Sequence, residues 1–304
     1  MIREHIEKSN YRVGFLGPQG TYSQEVALKL FGGAAVLEPY ASIDAAIRAV
    51  AAGEISECVV PIENSLEGSV NVTLDTLAHE VELLIASEIV MPVRHNLLVR
   101  EAGRGVQLIL SHSQALAQCR RTLARLFPAA ASLAVESTAE AARRVAAGES
   151  GLAAIGSRTA AELYSLDIIA ADIQDTASNC TRFVTLKVSP AAWIESKRWK
   201  TSIVCQIDGS RPGDLYRILS EFADREVNLT KIESRPARTG LGAYLVQEPG
   251  FLSRRGMGAS RIAKRIWKNR MMLVGKKSSG DLSIDAIGSV ILGWCIRLYK
   301  TCAD

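Results

Sequence analysis

The chain has 304 residues and a mass of 32.8 kDa, a length that favours two domains of about 150 residues each. At 48% hydrophobic and 22% charged it can bury real cores, which excludes wholesale disorder. No apolar run reaches the ~20 residues of a bilayer span; the longest, Ala286 to Ile296, stops at eleven before Arg297. The opening MIREHIEKSN mixes charge signs and has no apolar core for a signal peptide, so a soluble, cytoplasmic protein with no membrane partner is expected.

Six cysteines (58, 119, 180, 205, 295, 302) never fall at C-x-x-C spacing, and four histidines (5, 79, 95, 112) form no H-E-x-x-H. That pattern argues against a disulfide framework and against a metal enzyme. The net charge of +4 is uneven, because residues 247–304 hold eleven basic and four acidic side chains while the rest is net acidic. A basic tail alone suits nucleic acid, but the acidic, aromatic-poor remainder does not, and no nucleic-acid partner is expected.

In chain order, Tyr11–Leu16 alternates like a strand, GPQGTYS is a turn, and Gln24–Phe31 reads as a helix capped by Thr21 or Ser23. Val36–Tyr40 is strand-like, and Ser42 caps a helix that stops at Gly53. Cys58–Ile62 is a strand of mostly β-branched residues. The cadence returns with a strand at Leu108–Leu110, a helix over Ser113–Phe127 halted by Pro128, and a strand at Leu133–Val135. Ser137-Thr-Ala-Glu140 is a capping box opening a helix that ends at Gly148. Such alternation predicts an α/β architecture with largely parallel strands. VAAGE closes an Ala-rich helix at 50–54 and again at 145–149, which suggests two similar lobes with a ligand cleft between them.

Ser189–Lys200 breaks the pattern and reads as a linker. A strand at TSIVCQI follows, then a helix at Leu215–Arg225 with Leu215, Ile218, Leu219 and Phe222 on one face. Strands at Val227–Ile232 and from Ala243 complete β-α-β-β, three quarters of a small ferredoxin-like sandwich. The sequence beyond Val246 turns basic and rich in Gly, Ser and Arg. A replaced C-terminus that leaves the sandwich incomplete is expected; the alternative uses Ile262–Met272 as its second helix and Ser289–Ile296 as its last strand.

Four polar clusters sit at strand ends, where ligand sites of parallel α/β sheets gather. They are Gly17-Pro-Gln-Gly-Thr-Tyr-Ser23, Pro61-Ile-Glu-Asn-Ser-Leu-Glu-Gly-Ser69, Ser111-His-Ser-Gln-Ala-Leu-Ala-Gln118 and Asn179-Cys-Thr-Arg-Phe183. The first offers helix-start N–H groups to an anion. The second brings Glu63, Asn64 and Ser65, and the third Ser111 and Gln118, with His112 at a helix start. In the fourth, Arg182 either clamps a carboxylate or makes a structural ion pair. Cys180 has no histidine near it in sequence, so covalent cysteine catalysis is not expected.

Taken together, GFLGPQGTYSQEVA, VVPIENSLEGSV, LSHSQALAQC, NCTRFVTL, RPGDLYRIL and ESRP resemble the prephenate dehydratase family, over roughly Val13 to Val246. The resemblance implies a periplasmic-binding-protein-like catalytic domain at 11–188, with lobes 11–86 plus 170–188 and 87–169. It implies an ACT regulatory domain that starts at 201–246, after the 189–200 linker. The activity implied is decarboxylative dehydration of prephenate to phenylpyruvate, without cofactor or metal, in a homo-oligomer (dimer or tetramer). Arogenate dehydratase and a non-catalytic two-lobed binding protein are the alternatives.

By resemblance Thr181 is the central catalytic group, and Glu63 is the proton donor if burial raises its pKa. Thr21, Asn64, Ser65, Ser111, Gln118 and Arg182 line the cleft. L-phenylalanine is the implied effector, bound by Gly213, Leu215, Glu233, Ser234, Arg235 and Pro236. Three departures stand out. Ser113 replaces the family's usual Pro, Asp214 replaces its usual Ala in the effector motif, and only about ten residues precede the first strand, so no fused chorismate mutase domain is expected. A carboxylate at Asp214 opposes that of an amino-acid effector.

Overall fold

A computed structural model describes residues 11–148, 150–188, 199–207, 212–224, 229, 231–236, 244–252, 272–273 and 295–302. The chain divides into one unit made of Met1–Leu83 with Glu88–Ser189 and another made of Leu84–Ser87 with Pro190–Asp304.

The first unit holds two sheets. One is built from β1 (Arg12–Leu16), β2 (Val36–Tyr40), β3 (Glu57–Asn64), the short β4 (Gly68–Ser69), β11 (Cys180–Lys187) and, from Glu88 on, β5 (Leu84–Pro92). The order is β5-β11-β3-β1-β2, with β1 parallel to both β2 and β3 and β11 antiparallel to β3. Helices α1 (Tyr22–Phe31), α2 (Ile43–Ala51) and α3 (Asn71–His79) connect these strands. Val13 and Phe15, two apart on β1, share one face and pack with Val26 and Ala27 of α1, all without exposed surface. Each large side chain so buried contributes roughly 1.5–3 kcal/mol.

The second sheet uses β6 (Asn96–Val99), β7 (Leu108–Ser111), β8 (Ala131–Ala134), β9 (Leu152–Gly156) and β10 (Asp167–Ala170). Its order is β10-β6-β9-β7-β8, with β7 parallel to β8 and β9 and β6 antiparallel to β9. The pattern repeats that of the first sheet: a parallel trio, then one antiparallel strand beside the trio's last. Both VAAGE segments begin in the last turn of a helix at the same point of the repeat, α2 before β3 and α6 (Thr138–Ala147) before β9. The lobe boundary lies later than expected from sequence, because β5 carries the chain through Pro92 within the first sheet.

Local signals mostly act as read. Thr21, not Ser23, caps α1; Ser42 accepts from Ala45 N–H, and Ser137 from Glu140 N–H. The capping box at α6 is half formed, since the Glu140 carboxylate turns to Arg143 and Arg144, which hold it down at about 2. The helix expected over Ser113–Phe127 is two: α4 (Ser113–Gln118) and α5 (Arg120–Leu126), broken at Cys119. Asp175 causes the restart, accepting from the N–H groups of Arg121 and Thr122 as a cap supplied from a distant segment. The helix α7 (Arg158–Leu163) follows β9.

In the second unit, β12 (Trp199–Ile207) begins inside the expected linker. It is followed by α8 (Asp214–Ala223), β13 (Glu233–Pro236), β14 (Tyr244–Leu252), β15 (Met272–Leu273) and β16 (Cys295–Cys302). β12 lies between β14 and β16, antiparallel to both, and β13 pairs β14 antiparallel. Four antiparallel strands therefore run in the order β13-β14-β12-β16, with the short β15 parallel to β16, where the sequence reading expected an incomplete set. The helix weighed for Ile262–Met272 falls outside the described residues apart from Met272. Ile218 and Phe222 of α8 are buried, whereas Leu215, expected on the same face, is 44% exposed.

Candidate active site

The chain crosses between the two lobes of the first unit twice, at 93–95 after β5 and at 171–179 before β11. The crossings are laced together: Val93 N–H donates to Asn179 O (2.9 Å), Ile173 N–H to His95 O (2.8 Å), and His95 N–H to Gln174 Oε1 (2.9 Å). Asp175 N–H donates to the carbonyl of Gln118 (2.7 Å), which pins the second crossing to the end of α4. The polar clusters read from the sequence converge on this junction.

β3 runs on through Glu63 and Asn64, two residues beyond the expected end. Its register with β11 sets Asn64 opposite Thr181 and Glu63 opposite Arg182, and the irregularity between Arg182 and Phe183 re-aims this end of the pair. Neighbouring residues on a strand point to opposite faces, so Asn64 and Thr181 share one face while Glu63 and Arg182 share the other. On the first face Asn64 Nδ2 donates to Thr181 Oγ1 (2.8 Å) and to Asn179 Oδ1 (2.9 Å). Asn179 Nδ2 donates to Gln118 Oε1 (2.9 Å), which also meets His95 Nε2 (2.9 Å). Tyr22 Oη completes the row, 3.0 Å from His95 Nδ1 and donating to Arg94 O at 2.7 Å. Thr181, Asn179 and His95 are buried.

The direction of these bonds matters. Thr181 Oγ1 accepts from Asn64, so its own proton is not used in that bond. Burial lowers the His95 pKa against the opposing hydrogen bond with Gln118, and desolvation, helped by Glu25, lifts the Tyr22 hydroxyl well above its ordinary value.

Other expected site residues hold the frame. Thr21 Oγ1 caps α1 and donates to Leu16 O (2.8 Å). The turn before it meets the other lobe at α7: Ser157 Oγ donates to Gly20 O (3.0 Å) and Tyr164 Oη to Gln19 O (3.2 Å). Gly20 has φ of +90°, and a Cβ there would come within 3.3 Å of Ala160, so glycine serves both the turn and the close approach. Ser65 Oγ accepts from Cys180 N–H (3.0 Å) and donates to Ser178 O (3.1 Å), clamping the second crossing. Ser111 is fully buried and donates to Ile155 O (2.9 Å) between β7 and β9, so it braces the sheet and does not face a cleft. His112 caps α4 with a ring nitrogen.

Arg182 makes the ion pair that is one of its two expected roles, and Glu63 stands with it. Arg182 is engaged by protein carboxylates, with Nε donating to Glu63 Oε2 (3.1 Å) and Nη1 to Glu88 Oε1 (3.1 Å), and so is not a free clamp for substrate. Glu63 lies with it on the far face from Thr181, because the strand's alternation separates adjacent residues 63 and 64. Cys58 and Cys119 are buried, which pushes both thiols up, Cys119 to about 12. Among the described residues no cluster of His, Cys, Asp or Glu is arranged to hold a metal ion, and no helix is long and apolar enough to cross a membrane. Of the effector residues, Glu233–Pro236 form β13, and Gly213, with φ of +84°, precedes α8. Glu233 accepts an ion pair from Lys231 at 3.3 Å.

Sequence reasoning missed Asn179, His95 and Tyr22 as members of the site. Asn179 stood inside a quoted motif, but nothing in VRHN or in the turn signalled that His95 and Tyr22 would meet.

Two repeated α/β lobes joined by paired crossings, with an amide-and-hydroxyl row along the junction, define a two-lobed α/β protein with a candidate site for a small polar molecule. A family model described as prephenate dehydratase matches residues 13–191, and the chain belongs to that family. It is 41% identical over 239 residues to the bifunctional chorismate mutase/prephenate dehydratase of Stutzerimonas stutzeri, covering 77% of this chain and 63% of that protein. It is 40% identical over 244 residues to the prephenate dehydratase of Bacillus subtilis, covering 77% of this chain and 86% of that one. Among solved structures, prephenate dehydratase from Arthrobacter aurescens in complex with L-Phe superimposes with a TM-score of 0.77 at 32% identity, over 84% of this chain and 86% of that one. The chain thus spans less than two thirds of the bifunctional relative's length.

Proposed function

We propose that the protein is a prephenate dehydratase, a hydro-lyase of amino-acid biosynthesis that converts prephenate to phenylpyruvate, with residues 11–188 as its catalytic domain. The observation that carries the reading is the Asn64–Thr181 contact, in which Thr181 Oγ1 accepts from Asn64 and so keeps its own proton out of that bond.

In this reaction the bond from the ring to its carboxylate breaks and its electron pair moves into the ring. The C4–O bond breaks in turn, and the departing hydroxide takes up one proton to leave as water. The products are CO2, water and an aromatic ring, whose formation drives the step. The protein's task is to orient the substrate and stabilise the leaving oxygen. Thr181 donates to that oxygen; its hydroxyl is too weak an acid to be the net proton source, which makes orientation and charge stabilisation its contribution. Asn64 donates to Thr181 and to Asn179 of the second crossing, and Asn179 in turn donates to Gln118 of the second lobe. The two-lobed domain is read as periplasmic-binding-protein-like, on the support of the repeated strand order and the double crossing.

The second unit is read as an ACT domain, supported by its four-stranded antiparallel order with α8 after the first strand. L-phenylalanine is its proposed effector, in keeping with the ligand of the Arthrobacter aurescens protein. A homo-oligomer, dimer or tetramer, in the cytoplasm completes the proposal.

The test is direct: measure phenylpyruvate formation by the purified full chain, with prephenate and arogenate run side by side. Turnover of prephenate is expected. Preference for arogenate would reassign the substrate, and no turnover of either by folded protein would leave a binding protein.

A further inference from the structure

The row from Thr181 to Tyr22 has a polarity that can be read from its fixed end. Asn64 Oδ1 accepts from the backbone N–H groups of Leu66 (2.9 Å) and Glu67 (3.1 Å). Backbone amides only donate, so the orientation of the Asn64 amide is set: its oxygen faces the loop and its nitrogen faces Thr181 and Asn179. The same reasoning passes along the row. Asn179 must present its oxygen to Asn64 and therefore its nitrogen to Gln118. Gln118 must present its oxygen, and an oxygen already accepting from Asn179 can meet only a donor on the imidazole. His95 Nε2 carries a proton.

We propose that His95 is a positioning residue, fixed as the Nε2–H tautomer, which holds Gln118 and through Asn179 and Asn64 aims the Thr181 hydroxyl. The proposal rests on the dehydratase reading for its kinetic consequence, while the tautomer follows from the hydrogen-bond directions alone. The neutral ring suits its buried place, where an imidazolium is disfavoured. With the proton on Nε2, Nδ1 is an acceptor for the Tyr22 hydroxyl, which Arg94 O shares. The row therefore starts on α1 in the first lobe, passes through the first crossing to α4 in the second lobe, and returns through the second crossing to β11. An imidazole is stiffer than the amides it serves. It also sits where its own backbone is bonded to the second crossing, through Ile173 N–H and Gln174. That makes it a firm stop for a chain of three flexible amides.

Two measurements test this on the full chain. In the first, long-range nitrogen–proton spectra of protein labelled with 15N-histidine report the His95 tautomer, assigned by the signal that disappears in His95→Gln. An Nε2–H pattern is expected; an Nδ1–H pattern overturns the proposal whether or not the protein turns over prephenate. In the second, His95→Leu removes the donor and His95→Gln supplies an amide N–H of similar reach. His95→Leu is expected to lower kcat by about 10-fold or more with KM within about twofold, and His95→Gln to recover most of the loss. Equal losses in both variants, or wild-type kcat in His95→Leu, overturn it. Absent wild-type turnover counts against the dehydratase reading, and the spectrum then decides the row alone.

Discussion

Asn64 and Thr181 lie directly opposite each other on β3 and β11, with Nδ2 2.8 Å from Oγ1, although 117 positions of chain separate them. The contact closes the first sheet around an excursion that builds the whole second lobe. It also makes the threonine hydroxyl the acceptor in this bond, so its own proton is not used there.

Thr181→Val removes only that hydroxyl from a near-isosteric side chain in an otherwise unchanged strand. Losing one transition-state hydrogen bond is expected to cost about 10²-fold or more in kcat, with KM and melting temperature little changed. Steady-state kinetics on prephenate beside a thermal melt checks both halves. A kcat near wild type would remove Thr181 from the centre of the mechanism.

Glu63→Gln tests whether this carboxyl supplies the proton. The Glu63 carboxylate accepts from Arg182 on the face away from Thr181. The substitution is therefore expected to leave kcat within a few-fold of wild type and both limbs of the pH–rate profile in place. Its cost should appear in stability instead, on the order of 1 kcal/mol for a half-exposed ion pair. Loss of one limb of the profile would restore Glu63 as proton donor.

These two residues also show what the sequence could and could not reveal. The order of strands and helices, the caps at Thr21, Ser42 and Ser137, and the repeated lobes follow from local periodicity and hydrogen-bonding residues, which a linear text displays. Glu63 and Asn64 looked alike because both seemed to lie in a loop beyond the strand. Once β3 extends through them, period-2 alternation sends one to the site and the other to Arg182. Ser111 misled for a related reason: a hydroxyl at a strand end was read as facing ligand, but Ile155 O on the adjacent strand takes it. His95 and Tyr22 were silent because their meeting depends on how the first crossing lies against α1, a tertiary fact with no local signature.

Asp175 supplies a pH-dependent test of the second crossing. Burial alone would raise its pKa, but hydrogen bonds from the N–H groups of Arg121 and Thr122 and from the Thr122 hydroxyl outweigh it, and the net shift is downward from 3.8. A carboxyl depressed in the native state stabilises the fold above its unfolded pKa, and that contribution is lost as pH falls through the native value. Asp175→Asn keeps one acceptor oxygen but sets an amide nitrogen against an N–H group that the other oxygen serves, and is expected to lower stability by about 1 kcal/mol at neutral pH. The gap from wild type should narrow in melts taken at about pH 3 and below. A gap that stays constant with pH would mean the charge contributes nothing to the cap.

The last prediction concerns L-phenylalanine. β13 places Glu233–Pro236 beside β14, and α8 begins after the turn at Gly213, so the backbone of the proposed effector motifs is in order. The sequence nevertheless carries Asp214 where the family pattern has Ala. Two like charges repel, so a carboxylate at this position opposes that of an amino-acid effector. Weak inhibition of the full chain by L-phenylalanine is therefore expected, with Asp214→Ala lowering the half-inhibitory concentration by about 10-fold, the equivalent of 1.4 kcal/mol. Titrating L-phenylalanine into the prephenate assay of both proteins measures the difference. Strong, saturable inhibition of the unsubstituted chain would show that Asp214 does not oppose the ligand. Insensitivity of both would trace the loss to the departure of the sequence beyond Val246.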